Sequence, residues 1–173
     1  MAARAPRTKP TRRLVFARTV HRTRSTVSST RSMVEWMASS IRPVSRLSVA
    51  VTEGIRVSVR SEYVPERSAP GRSQYFFTYT VTLHNEGDTT VQLVSRRWVI
   101  SGPDGVVGRV EGAGVVGEQP VLAPGASYEY ASFCPLETPF GSMEGSYQMM
   151  RPDGSRFDAQ IAPFGLAVPS ALN

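Results

Sequence analysis

One glycine-rich segment of this chain has residue types and a spacing that could form a ligand-binding site. It is Gly112-Ala113-Gly114-Val115-Val116-Gly117. The spacing G-x-G-x-x-G occurs in dinucleotide-binding sites, where a strand precedes it and a helix follows with its N-terminus facing the pyrophosphate. Here Pro120 and Pro124 follow, and proline lacks the N–H group that a helix interior requires. The sequence therefore predicts an extended loop of a β-rich protein instead of a Rossmann site.

Two roles for Gly112, Gly114 and Gly117 remain open. Their backbone N–H groups could converge on an anion, and Arg96, Arg97 and Arg109 could add charge if the fold brings them near. Arginine is well suited to bidentate phosphate contacts, and Arg97 is the one expected in the site. The chain would then bind a phosphorylated small molecule such as pyrophosphate or a dinucleoside polyphosphate. Alternatively, the glycines supply positive φ angles and close backbone approach where the chain crosses between strands.

Two further segments could form an interaction surface. Arg96 lies close to Trp98 in sequence, and arginine beside an aromatic residue is common at binding hot spots. The alternative is a solvated arginine face over a buried Trp98. Residues 134–141 combine two prolines with apolar side chains, which predicts a rigid loop. That loop either docks a partner through Pro139 and Phe140 or covers one end of the fold.

The sequence does not predict a catalytic or metal site. Cys134 is the single cysteine, so no intramolecular disulfide can form. With His21 and His84 it cannot supply four ligands to zinc. A nucleophilic cysteine needs a base nearby, and His84 is predicted within a strand while Cys134 is predicted in a loop. We therefore expect a non-enzymatic protein without a cofactor.

Alternation with a period of two begins near Val49, and this pattern is typical of strands with one buried face. Residues 55–59 alternate apolar and polar side chains, and residues 75–84 alternate large apolar side chains mostly with threonine. Turn-forming residues at 85–88 and 103–105 separate such runs. No window shows a persuasive helical period.

Seven or eight such strands predict an all-β protein, an antiparallel sandwich of the fibronectin type III or immunoglobulin-like kind. Trp98 is expected to anchor its core. The apolar phase changes near residues 95–97, which predicts a β-bulge there. It changes again at Pro163, which predicts a bulge or an edge position.

The chain of 173 residues divides into two parts of opposite charge. Residues 1–48 contain eleven basic residues and one acid, whereas residues 49–173 contain nine arginines and thirteen acids. We expect the basic extension to be disordered. It is a transit peptide, an arm that touches nucleic acid or anionic surfaces, or the product of a start codon assigned too far upstream. No apolar run reaches the length of a membrane span, so a cytoplasmic protein is expected, or an organellar one if the extension is a transit peptide.

Five blocks between residues 94 and 147 occur in the order found in a known family. They include Val94-Ser95-Arg96-Arg97-Trp98, the glycine segment, Leu122-Ala123-Pro124-Gly125 and Thr138-Pro139-Phe140-Gly141-Ser142. On these blocks, residues 49–173 resemble the ApaG family of small bacterial proteins. The resemblance implies a fibronectin type III-like sandwich, a protein–protein interaction role and an indirect association with cobalt resistance and magnesium efflux. It also implies that the glycine motif binds pyrophosphate compounds. The partner and the oligomeric state stay open.

Overall fold

The computed structural model describes residues 46–169, and this part of the chain consists almost entirely of strands. The predictions for the basic extension fall mostly on residues 1–45, which lie outside the described residues. Two short 3₁₀ turns, Pro65–Arg67 and Pro70–Arg72, separate the second and third strands. The nine strands are β1 Leu47–Thr52, β2 Ile55–Tyr63, β3 Tyr75–Asn85, β4 Val91–Gly102, β5 Gly105–Ala113, β6 Val121–Leu122, β7 Ser127–Leu136, β8 Phe140–Met150 and β9 Arg156–Ala167.

The strands form two antiparallel sheets that pack face to face. The first sheet has the order β1-β2-β3-β7, and the second has the order β5-β4-β8-β9 with the short β6 also paired to β4. This arrangement confirms the prediction of a fibronectin type III-like sandwich. The sandwich begins at Leu47, two residues before the expected boundary, and contains one strand more than the upper expectation.

Alternation along β2 and β3 builds one wall of the core, as the sequence predicts. Ile55, Val57 and Val59 are 1% exposed, while the residues between them face outward. In β3 the buried residues extend from Phe77 to Leu83 at every second position, and threonines occupy the outer face. Since successive side chains of a strand point to opposite faces, this pattern fixes which face meets the second sheet.

Aromatic rings fill the centre of the sandwich. Trp98 of β4 is 2% exposed and makes edge contacts with Tyr79 from the first sheet and with Tyr147 and Phe164 from the second, at centroid distances of 5.5–6.1 Å. Edge-to-face contacts of this kind stabilise aromatic clusters beyond the burial of their area. The prediction of Trp98 as the core anchor is confirmed.

A register shift is present at both positions where the sequence changes phase. The pairing of β4 with β8 shifts register between Leu93 and Ser95, which moves the buried face from Leu93 to Trp98. The pairing of β8 with β9 shifts near Pro163. Beyond that proline, Phe164 and its three successors are all buried.

One predicted loop is wrong in extent. Cys134 and Leu136 belong to β7 in the first sheet, and Phe140 begins β8 in the second sheet, so the connection is only residues 137–139. The β-strand pairing of Phe77 with Cys134 and of Tyr75 with Leu136 accounts for the difference. Proline at position 135 is compatible with β7 because β7 is an edge strand of the first sheet.

Candidate functional site

The glycine segment is a tight hairpin and does not open a helix. Gly112 lies within β5, paired with Arg96 of β4. Val115 and Glu118 then exchange two backbone hydrogen bonds of 2.8 Å around Val116 and Gly117, whose φ angles are 44° and 85°. Positive φ at both central residues defines a type I′ turn, which reverses the chain in an antiparallel hairpin.

Two of the three glycines have a clear structural reason. Gly114 has φ 55°, and a Cβ atom there would lie 2.1 Å from the carbonyl oxygen of Glu118. Gly117 has φ 85° with open space around it, so only the backbone conformation favours glycine at this position. These observations support the structural interpretation of the motif.

Arg96 is the arginine that contacts the glycine segment. Its Nη1 donates hydrogen bonds to the carbonyl oxygens of Ala113 at 3.1 Å and Gly114 at 2.6 Å. The guanidinium also lies against Gly112, where an added Cβ would be 3.3 Å from Nη1. Arg96 therefore links β4 to the start of the turn through hydrogen bonds. These bonds already use part of the hydrogen-bond donor capacity of its guanidinium group.

Arg97 lies on the opposite face of β4, on the outer surface of the second sheet. Its Nε donates to Glu111 Oε1 of β5 at 2.9 Å, and both side chains are more than 60% exposed. Of the arginines that the sequence placed near the glycine segment, Arg96 makes the direct contact to Gly114. The assignment of Arg97 to a ligand site stays a prediction. The bulge in β4 lies immediately before these two residues, and their alternation about the strand separates them.

A shallow groove of about 400 Å³ crosses the second sheet and brings part of the predicted site together. Arg96, Arg97 and Gly112 line it, together with Glu111 and Asp158. The lining therefore contains two basic and two acidic residues. Gly114 and Gly117 are not among its lining residues.

The predicted interaction residues separate in the fold. Trp98 is only 2% exposed, so its prediction as a contact residue is wrong. It turns inward because the bulge in β4 places it in the buried phase. Pro139 and Phe140 are half-buried where the chain passes between the sheets, and the Pro139 carbonyl accepts the N–H of Val168 at 2.9 Å. Arg96 contacts the turn and stays half-buried.

Cys134 and His84 do not form a nucleophile–base pair. Cys134 is 3% exposed on the inner face of β7, and burial raises the pKa of its thiol to about 12. His84 lies on the outer face of β3, with its Nδ1 2.8 Å from Ser127 Oγ. A thiol with a raised pKa is a poor nucleophile near neutral pH.

An exposed arginine–aromatic surface was missed by the sequence analysis. Phe76 of β3 and Phe133 of β7 stack on the outer face of the first sheet, with centroids 5.2 Å apart and planes 21° apart. The Cζ of Arg67 lies 3.9 Å from the centroid of Phe76 and 5.9 Å from that of Phe133. Phe133 remains 47% exposed. Phe76 gave one signal in the sequence, because it is the single large apolar residue in the threonine phase of β3.

Residues 46–169 contain no cluster of three or more His, Cys, Asp or Glu side chains that could hold a metal ion. They also contain no helix long and apolar enough to cross a membrane.

Comparison with known proteins identifies the family. The model of the ApaG domain matches residues 65–151. A protein named ApaG from Anaeromyxobacter dehalogenans strain 2CP-1 is 58% identical over 127 residues, which is 73% of this chain and 100% of that protein. The chain belongs to the ApaG family. ApaG of Thiobacillus denitrificans is 50% identical over 119 residues, covering 69% of this chain and 94% of the relative.

A solved structure agrees with the ApaG assignment. The crystal structure of a candidate ApaA protein from Bordetella pertussis is 45% identical, covers 73% of this chain and 98% of that chain, and gives a TM-score of 0.64. The matched ApaG domain includes Arg67, the glycine turn and Phe133, so both surfaces described above lie inside it.

Proposed function

We propose that this protein is a non-enzymatic protein–protein interaction module and that Arg67, Phe76 and Phe133 form its contact surface, here called the RFF surface. The observation that carries the proposal is the stacked phenylalanine pair on an outer sheet face, with an arginine over it. Arginine and aromatic residues are enriched among the few interface residues that supply most of the binding energy.

The RFF surface has the properties of a preformed contact site. The stack of Phe76 and Phe133 fixes the two rings before a partner arrives, which lowers the entropy lost on binding. Arg67 makes no ion pair with any residue of the described part of the chain, so its charge is available to a partner. The partner we expect is a protein with an exposed apolar side chain and a carboxylate beside it.

Photo-crosslinking tests the proposal directly. A photoreactive phenylalanine analogue replaces Phe133 in the full chain, and in a control it replaces Thr80, which lies on the outer phase of β3. We expect a protein adduct in cells from position 133 and none from position 80. The partner identified in this way is then purified for binding measurements.

Calorimetry with that purified partner decides which residues carry the affinity. We expect Phe133→Ala to raise the Kd about tenfold or more and Arg67→Ala several-fold. Arg60→Ala is the matched control, since Arg60 is an exposed arginine of β2 whose contact with Glu62 is 3.6 Å, and it should change the Kd less than about twofold. Unchanged affinity in both RFF variants, or turnover of a phosphate substrate by the purified protein, would contradict the proposal.

The family association with cobalt resistance and magnesium efflux fits an indirect role in this proposal. A cytoplasmic interaction module would act on a transport or regulatory protein and would not itself carry the cation. A strain that lacks the gene should then recover metal tolerance with the wild-type chain but not with Phe133→Ala. If the wild-type chain and Phe133→Ala both restored metal tolerance, the RFF surface would not be required for metal tolerance.

A second candidate function is the binding of a phosphorylated small molecule in the groove beside the glycine turn. The observation in its favour is that Arg96, Arg97 and Gly112 line one groove. Calorimetry with pyrophosphate and a dinucleoside polyphosphate tests it, with Arg97→Ala as the variant and Arg60→Ala as the control. Heat that Arg97→Ala abolishes would support this function, and no heat with the wild-type chain would end it.

A further inference from the structure

We propose that β5 pairs in antiparallel fashion with β5 of a second copy of this chain, centred on Val110, so that Arg109 of each copy lies opposite Glu111 of the partner subunit. The pairing would join the five-stranded second sheets of two copies into one continuous sheet. It involves a different surface from the RFF surface, and it does not depend on the proposed function.

The edge of β5 is open in the described part of the chain. β5 is the terminal strand of the second sheet, and β4 is its recorded partner there. An unpaired edge presents N–H and C=O groups that can pair with another strand. Proteins commonly protect such edges with proline or with an inward-pointing charge. The sequence of β5, Gly105–Ala113, contains no proline, and its two charged residues alternate with glycine and valine.

The backbone groups that face the open edge can be identified from one hydrogen bond. Gly114 N–H donates to Val94 C=O at 2.8 Å, which makes that pair a hydrogen-bonded one. Hydrogen-bonded and non-hydrogen-bonded pairs alternate in an antiparallel ladder, so Gly112 and Val110 also bond to β4. Arg109 and Glu111 therefore direct their N–H and C=O groups away from β4, toward an incoming strand.

Charge complementarity selects the register and the occupant. With Val110 at the two-fold axis, each Arg109 faces Glu111 of the partner subunit, which gives two opposite-charge pairs. Centring the pairing on Arg109 or Glu111 would place identical charges opposite each other. Glu111 already accepts from Arg97, and its 65% exposed side chain leaves room for a second arginine on its other side.

Exposed valines line the same edge. Val106 and Val107 of β5 are 53% and 54% exposed, and Val116 of the turn and Val121 of β6 are each 62% exposed. β6 pairs with β4 on the same side as β5, since β8 occupies the other side. Apolar side chains concentrated on one edge favour contact with another protein surface over continued exposure to water.

Sedimentation analysis of the full chain over a range of concentrations tests the proposal. We expect a reversible monomer–dimer equilibrium in the wild type. Arg109→Glu, which places two carboxylates opposite each other, should raise the dimer Kd about tenfold or more. The matched control is Arg156→Glu, a charge reversal on β9 at the opposite edge of the same sheet, which should change the Kd less than about twofold.

A mixing experiment identifies the register. Glu111→Arg alone should also weaken the dimer, but an equimolar mixture of the Arg109→Glu and Glu111→Arg chains should restore it as a heterodimer. Circular dichroism of each variant reports whether the chain is folded. A wild-type chain that stays monomeric up to its solubility limit would overturn the proposal. So would a dimer that Arg109→Glu leaves intact, or two folded variants that do not associate when mixed.

Discussion

The hydroxyl of Tyr130 lies 2.5 Å from the hydroxyl of Tyr147, and this contact joins the two sheets through the core. Tyr130 belongs to β7 and Tyr147 to β8, and both side chains are buried. Each hydroxyl supplies the other with a hydrogen-bond partner in surroundings from which water is excluded. Burial raises the pKa of both phenols, so the pair stays neutral at physiological pH.

Removing one of these hydroxyls should lower the free energy of unfolding more than removing both. Tyr147→Phe leaves the Tyr130 hydroxyl buried without its partner, and we expect it to lower the free energy of unfolding by about 1–3 kcal/mol. Adding Tyr130→Phe should recover part of this loss, because the unpaired buried hydroxyl is then removed. Urea unfolding of the two single variants and the double variant measures this coupling. Tyr128→Phe, which loses an exposed bond to Glu118, is the control and should change stability by less than about 0.5 kcal/mol.

Alkaline pH should destabilise the protein through Cys134 before the tyrosines contribute. The thiol ordinarily titrates near pH 9.0, and in the folded chain its pKa is about 12. The unfolded chain therefore loses this proton first, so the stabilising contribution is complete below pH 9 and disappears as the pH rises toward 12. The slope is about 1.4 kcal/mol per pH unit. In denaturant titrations between pH 9 and 10, Cys134→Ala should show a shallower fall in stability than the wild type, and an unchanged slope would contradict the assignment.

The two turn glycines should respond differently to the same substitution. Gly117→Ala places a side chain in open space and should cost about 1 kcal/mol, which reflects the positive φ alone. Gly114→Ala must also resolve the 2.1 Å approach to the Glu118 carbonyl, so its cost should be larger by several-fold. Urea unfolding compares the two variants. Equal costs would mean that the backbone at Gly114 is not held as closely as the structure indicates.

Val116 offers a stabilising substitution. A β-branched residue at φ 44° is strained, and the side chain is 62% exposed, so little packing opposes a change. Asparagine tolerates this conformation and precedes glycine in the preferred type I′ turns. We expect Val116→Asn to raise the free energy of unfolding by about 1 kcal/mol in thermal or urea denaturation. Val121→Asn, at an equally exposed valine in β6, is the control and should give no gain.

Most of the fold could be predicted from the alternation of apolar and polar residues, because the burial of one strand face imposes this alternation on the sequence. Alternation in β2 and β3 identified their inner faces, and the two breaks in phase identified both register shifts. The segment around Cys134 was predicted as a loop because proline, here Pro135, is typical of loops. Only the pairing of β3 with β7 shows that this segment continues an edge strand.

The site was harder to predict because it depends on contacts between strands. The sequence placed Arg96 and Arg97 side by side, but it could not show which of them reaches the turn. The stack of Phe76 on Phe133 depends on the register between residues far apart in the chain. A resemblance to the ApaG family names the fold and the glycine motif, but it does not orient either arginine.

The part of β9 that follows the phase change at Pro163 limits how early the sandwich can fold during synthesis. Downstream of it, Phe164 and Leu166 have 0% exposure and belong to the core. The same strand also reaches back to the start of the domain, since Gln160 N–H donates to Thr52 Oγ1. A nascent polypeptide emerging from the ribosome therefore lacks part of its hydrophobic core until β9 has been released. Strand β1 cannot complete its contacts before β9 is present.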